Sequence, residues 1–199
     1  SAGLSDAEVL ERIGASARHP EGLFFPDTYL FARQSSDLDV LRRAYRNQQR
    51  VLQREWEKRA EGLPYKDPYE ALIMASIVEK ETGLAADRPL VASVFVNRLR
   101  AGMLLQTDPT VIYGLGTAFD GNLRKRDLLA DSAYNTYLRL GLPPTPISMP
   151  GVAAMRAALN PQSTDYLYFV ARGDGSSAFS RSLDEHNRAV ARYIRKAPQ

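Results

Sequence analysis

The chain has 199 residues, 44% of them apolar and 25% charged, with a formal net charge of +3. That composition describes a folded domain large enough for its own core and excludes disorder. The basic residues are dispersed among 23 acidic ones, which argues against nucleic acid as a partner, and the lack of cysteine excludes disulfides and thiolate metal sites.

The sequence opens Ser1–Ala2–Gly3 without a methionine, which suggests the remnant of a cleaved tag followed by a piece of a longer protein. Residues 1–20 are expected to form this remnant and a linking helix over roughly 4–18, ahead of one main domain, 21–199. No run approaches the roughly 18 apolar residues of a membrane span, so neither a span nor a signal peptide is expected, and the fragment should be soluble. Gly22–Phe31 reads as an extended segment broken by Pro26. Asp37 can cap a long surface helix of roughly 38–60, with Leu38, Leu41, Tyr45, Leu52 and Trp56 on one side.

Asp67 as N-cap, Pro68 at the first helical position, Glu70 as the reciprocal partner of Asp67, and Gly83 as a stop together predict a helix over roughly 68–82. Pro89 starts another, roughly 89–101, with Val91, Val94, Phe95 and Leu99 buried and Gly102 as its stop. From 103 to 148 the chain turns irregular, with short helical pieces near 109–114 and 125–129; such a stretch inside a compact domain reads as a functional loop region. Pro150–Gly151 opens a short helix to about Leu159. Tyr166–Ala171 and Ala178–Ser180 form a hairpin around Gly173–Asp174–Gly175, and Ser182 with Glu185 caps a last helix of roughly 183–196. Helices outnumber strands, so the expected class is α+β: a mostly helical single domain with a small antiparallel hairpin.

Glu81 is the most informative residue. With Ile73 at zero and about 100° per residue, Ile77 falls near 40°, Glu81 near 80°, Met74 near 100° and Val78 near 140°. A carboxylate bracketed by apolar neighbours is costly to ionise, so its pKa should be raised, and a carboxylic acid that keeps its proton near neutrality can protonate a glycosidic oxygen. A bland alternative stays open, in which Glu81 reaches past the helix end into water. Glu79, near 240°, is not dismissed by angle alone.

Leu105–Gly114 gathers an amide, hydroxyls, a carboxylate and a phenol directly after a helix stop, as a polar ligand such as a saccharide requires, although Thr107 or Asp108 could merely cap the turn that Pro109 begins. Tyr134–Asn135–Thr136–Tyr137 could stack on sugar rings and bind an acetamido or hydroxyl group, or form a structural loop. His186 could act as an acid or base, or serve as a capping residue, and His19 is expected to be incidental. No His, Cys and Asp cluster has metal-ligand spacing, Gly173–Asp174–Gly175 does not open a helix and so is no phosphate loop, and no G-x-S-x-G elbow occurs.

Taken together, the segments Glu21–Tyr29, Ala75–Thr82, Val94–Leu99, Leu105–Gly114, Tyr134–Tyr137, Gly141–Pro144, Pro150–Gly151 and Tyr168–Ala171 resemble the MltG (YceG-like) family of endolytic murein transglycosylases, as does the region of Phe179 with Glu185–His186–Asn187. The resemblance spans roughly residues 20–195. It implies a catalytic domain over 21–199 with a lysozyme-like helical core, and it places the catalytic glutamate at Glu81, followed by a small hydroxyl residue, Thr82. It further implies cleavage of the β-1,4 bond between N-acetylmuramic acid and N-acetylglucosamine within peptidoglycan strands, giving 1,6-anhydro ends and terminating strand growth, with no cofactor and no metal. The substrate-contact candidates are Gln106, Asp108, Tyr113, Asn135, Tyr137, Thr82 and Asn187. Many relatives carry a histidine just before the Phe179 block, where this chain has Ser176–Ser177–Ala178, so no role for that histidine is carried over. The resemblance also implies glycan strands as substrate, cell-wall synthases as partners, and a single-pass anchor holding the full-length protein at the periplasmic face of the inner membrane. Two rival readings are a hydrolytic muramidase and a non-catalytic peptidoglycan-binding module.

Overall fold

The computed structural model describes residues 3–15 and 19–194. Helix α1 (Asp6–Ile13) is closed at its start by a Ser5/Glu8 capping box and stopped by Gly14 at φ 77°, well before the expected end near residue 18. Residues 16–18 and 195–196, which the expected first and last helices included, lie outside the described residues. Leu10 and Ile13 are buried, and α1 packs on α2 (Asp37–Glu57). Ser36, not Asp37, caps α2, because its hydroxyl reaches the Asp39 amide while the Asp39 carboxylate returns to the Ser36 amide.

Helix α3 (Pro68–Glu81) occupies the centre. Ala71 to Val78 are all buried, so it has no polar face, and α2, α4 (Arg88–Arg100) and α7 (Val152–Leu159) pack around it. The lone polar residue in that run, Ser76, is satisfied: its hydroxyl donates to Ile73 O (2.7 Å) and accepts from the Ile147 amide (2.9 Å). Asp67 caps α3 as expected, but Glu70 accepts from the Lys66 amide (2.8 Å) rather than from Asp67. Glu185 behaves alike at the last helix, accepting from Arg181 N (2.8 Å) beyond the Ser182 cap. Gly83 is not the left-handed stop of α3; Thr82 ends the helix by turning extended (φ −144°, ψ 130°).

The irregular region holds α5 (Asp108–Leu115), a 3-10 turn at Gly116–Ala118, and α6 (Lys125–Leu128). Among the described residues the sheet has two antiparallel strands, β1 (Tyr168–Ala171) and β2 (Ser177–Ser180), with Phe169 opposite Phe179. The first strand begins two residues later than expected because the carbonyls of Thr164 and Tyr166 are taken by Asn97 Nδ2 on α4 (2.9 and 3.0 Å). Asp87, at the head of α4, accepts from the Ser177 amide (2.7 Å), and Phe169 meets Phe95 edge-on at 5.8 Å. Helix α8 (Leu183–Tyr193) packs on both strands. Hairpin and α8 therefore stand as a second bank against α4. No helix among the described residues is long and apolar enough to cross a membrane.

Candidate active site

The last turn of α3, the loop into α5 and the turn at 134–137 meet on one side of a cavity of about 330 Å³, to which they contribute Glu81, Gln106, Asp108 and Tyr137. The hairpin and α8 contribute Tyr168, Phe169, Leu183 and His186. Phe95 and Leu105, both fully buried, underlie it, and Arg98 on α4 joins the two sides.

Glu81 is where the helical wheel places it, on the packed side of α3 and partly buried. Thr107 donates its hydroxyl proton to Glu81 Oε2 (2.7 Å), leaving Oε1 as the oxygen free to carry a proton. Burial pushes the Glu81 carboxyl above the ordinary 4.5; the Thr107 bond opposes the shift and the negative charge of Asp108 adds to it. The Thr107 backbone is held by a small hydroxyl network. Thr110 spends its proton on Thr107 O (2.8 Å), so Thr136 must be the donor to Thr110 Oγ1 (2.8 Å) while it accepts from Thr107 N (3.1 Å).

The loop that carries Thr107 is pinned from both sides. Gln106 N donates to Thr136 O (3.0 Å), and the Arg98 guanidinium gathers Leu104 O (3.2 Å), Leu105 O (2.9 Å) and Gln106 Oε1 (3.3 Å) through Nη1. Gln106 sits at φ 51°, the left-handed region that a non-glycine residue enters at a cost, and this pinning holds it there. The Tyr137 hydroxyl donates to Asp108 Oδ1, and burial, followed by that bond, keeps the phenol protonated.

Of the residues expected to contact a ligand, Gln106, Asp108 and Tyr137 reach the cavity with Glu81. The other four do not line it. Asn135 is 0% exposed; its amide donates to Leu128 O (3.0 Å) and Ala130 O (2.7 Å) and its oxygen accepts from Tyr137 N (2.9 Å), so it shapes the turn from inside. Tyr113 packs against Tyr134 at 4.9 Å, with its phenol pushed up to about 12 by burial and the neighbouring Glu21. Thr82 Oγ1 accepts from the Leu84 amide (3.1 Å), and Asn187 is exposed on α8. Glu79 is excluded from the cavity because its carboxylate accepts from the Gly151 amide (2.9 Å) at the head of α7. His19 Nδ1 accepts from Glu21 N (3.2 Å), a local turn.

Sequence reasoning passed over Arg98, Tyr168 and Phe169 as site residues and left Thr107 as a possible cap of the turn; His186, left open between an acid or base and a capping residue, stacks its ring on Tyr168 at 5.4 Å within the cavity wall. Burial and the Arg98 charge both lower the His186 pKa, favouring a neutral imidazole. A signal for Arg98 was present: on the wheel of α4 it falls between Val94 and Val91, an arginine within an apolar stripe. Among the described residues no three His, Asp or Glu side chains are grouped to hold a metal ion.

Residues 3–192 match the profile of the YceG-like family. A Bacillus subtilis (strain 168) protein named endolytic murein transglycosylase is 42% identical over 182 residues, which is 89% of this chain and 49% of that protein. A protein of the same name from Streptococcus pneumoniae (strain ATCC BAA-255 / R6) is 35% identical over 130 residues, 63% of this chain and 24% of that one. The crystal structure of a yceG-like protein from Listeria monocytogenes superposes with a TM-score of 0.76 at 37% identity, covering 92% of this chain and 62% of that one. The chain thus spans about half the length of the Bacillus relative and about a quarter of the pneumococcal one.

Proposed function

The chain belongs to the YceG-like family, and on that premise we propose that its groove cleaves peptidoglycan strands internally as a lytic transglycosylase, a lyase, with Glu81 as the one acid and base. The reading is carried by a single observation: a carboxyl raised in pKa by burial, one oxygen fixed by Thr107, the other free beside a polar and aromatic cavity.

Glu81 begins protonated and donates from Oε1 to the oxygen of the β-1,4 bond between N-acetylmuramic acid and N-acetylglucosamine. The bond from the muramic C1 to that oxygen breaks, and N-acetylglucosamine leaves with a free 4-hydroxyl. The muramic C6 hydroxyl then attacks C1 and gives its proton to the Glu81 carboxylate, which restores the acid and closes a 1,6-anhydro ring. No water is consumed. Hydrolysis would call for a second carboxylate free to activate water. Asp108 is instead occupied by the Tyr137 hydroxyl, which favours transglycosylation and gives Asp108 the work of orienting Tyr137 and holding the proton on Glu81 by its charge. Gln106 and Tyr137 serve as substrate contacts.

The relatives named endolytic murein transglycosylase support the substrate class. We place the longer protein where murein lies, at the periplasmic face of the inner membrane on a single-pass anchor, acting beside cell-wall synthases to end nascent strands. The test is digestion of purified glycan strands with mass analysis of the ends. The wild type should release products one water lighter than reducing ends, and Glu81→Gln should lower the rate by about 100-fold or more. Reducing-end products would make the protein a muramidase, an unimpaired Glu81→Gln would remove Glu81 from the chemistry, and no cleavage by the wild type would leave only a binding module.

A further inference from the structure

Arg98 is only 8% exposed, yet among the described residues no carboxylate is paired with it. Its bonds are all to neutral oxygens. Nε donates to Leu167 O (2.7 Å), and Nη1 serves Leu104 O, Leu105 O and Gln106 Oε1. Five N–H donors are available on a guanidinium, and the two on Nη2 bond nothing among the described residues. Nor is Nη2 sealed away, since the buried side-chain nitrogens lacking a partner there are Arg88 Nε and His186 Nδ1. Arg98 lines the cavity, and Nη2 is the limb of its guanidinium left to face a ligand there. The guanidinium lies over the Tyr168 ring at 5.1 Å, and its Nη2 donors are available to a ligand that displaces solvent from them.

The surroundings narrow the ligand. Phe169 and Leu183, the latter 54% exposed, offer apolar surface on the same cavity, with Phe95 and Leu105 beneath. Asp108 lines its other side and its negative charge repels anions, which disfavours a carboxylate or phosphate as the group received. What fits is a neutral acceptor oxygen attached to a small apolar end. We propose that Arg98 reads the 2-acetamido group of a substrate sugar: Nη2 donates to the amide carbonyl oxygen and the acetyl methyl lies against Phe169 and Leu183. The same guanidinium thus pins the loop that carries Thr107 with one limb and tests the sugar with the other. The proposal rests on the reading of the groove as a glycan site, and it concerns recognition, not bond cleavage.

The test uses two neutral β-1,4 tetrasaccharides, chitotetraose with 2-acetamido groups and cellotetraose with 2-hydroxyls, titrated calorimetrically into the Glu81→Gln protein. Chitotetraose should bind at least about tenfold tighter, since a donor desolvated by the bound sugar is left unpaired when the ligand lacks its acceptor. Arg98→Lys in that background should weaken chitotetraose about tenfold and change cellotetraose less than about twofold. Leu183→Ser, which leaves the clamp intact, should lower the preference about threefold while the thermal melt stays within a few degrees. Equal binding of the two sugars overturns the proposal. So does an equal loss of both on Arg98→Lys, the signature of a clamp alone, or a preference that Leu183→Ser leaves untouched. Strand cleavage by the wild type is scored separately: an inactive wild type with an intact sugar preference removes the reaction and keeps this assignment, and the converse does the reverse.

Discussion

The Thr107 hydroxyl sets how the Glu81 carboxyl sits. It fixes one carboxyl oxygen and, because it donates, favours the ionised form against the burial that disfavours it. Removing the hydroxyl should therefore move the Glu81 pKa further up. The descending limb of the pH–rate profile, where Glu81 loses the proton it must donate, should shift to higher pH in Thr107→Val. The rate at the optimum should fall about tenfold or more, because the free oxygen is no longer aimed. A profile that keeps its limb in place, or moves it down, would show that Thr107 does not act on Glu81. The reliance on a hydroxyl also explains why the sequence concealed Thr107. A threonine ahead of Asp–Pro looks like an ordinary cap, and only the loop pinned by Arg98 and Thr136 turns it toward α3. Glu81 was legible because one helix sufficed to place it. Asn135 was misjudged because an amide in a polar loop looks the same whether its partners are a ligand or the backbone carbonyls that consume it here.

Between elements, the two glutamates of Glu79–Lys80–Glu81 divide two tasks. Glu79 faces α7 and supplies the acceptor at its head that Gly151, having no side chain, cannot. An anion at a helix N-terminus is favourable for both its hydrogen bond and the dipole. Glu79→Ala should cost about 1–2 kcal/mol of stability, read by denaturant unfolding, with the pH limbs of cleavage unmoved. A shifted limb would place Glu79 in the chemistry instead. Element identity was largely readable from caps and periodicity: each of the eight helices of the described residues and each strand overlaps an expected segment, with α2, α4, α5 and β2 beginning one residue early. The ends were not. Gly14 stops α1 early, and the bonds from Asn97 delay β1, a consequence of tertiary contact that no local pattern announces.

At the scale of the whole molecule, α2 and α7 are joined by Glu55, whose carboxylate is almost wholly buried between Arg54 (2.8 Å) and Arg156 (3.1 Å). Burial alone would raise its pKa, but the hydrogen bonds and charges of Arg156 and Arg54 outweigh it and hold the group below the ordinary 4.5. A lowered folded-state value means stability that is fully present above pH 4.5 and lost as pH falls through the lowered value. Glu55→Gln should thus cost about 1–3 kcal/mol at pH 7 and show a flatter loss of stability toward acid than the wild type. Thermal melts from pH 7 to pH 3 would decide, parallel acid slopes counting against the assignment.

The second bank of the groove, β1 to α8, begins nearly ninety residues after Glu81 and is tied back to α4 by Asn97, Arg98 and Asp87. A nascent polypeptide emerging from the ribosome therefore presents its proton donor long before the far wall exists to seat a saccharide. Premature termination anywhere ahead of the hairpin would leave an exposed acid without the Tyr168, Phe169 and His186 surface. On the proposed reading, competence to cleave a strand is in this way withheld until synthesis has passed the hairpin and its closing helix.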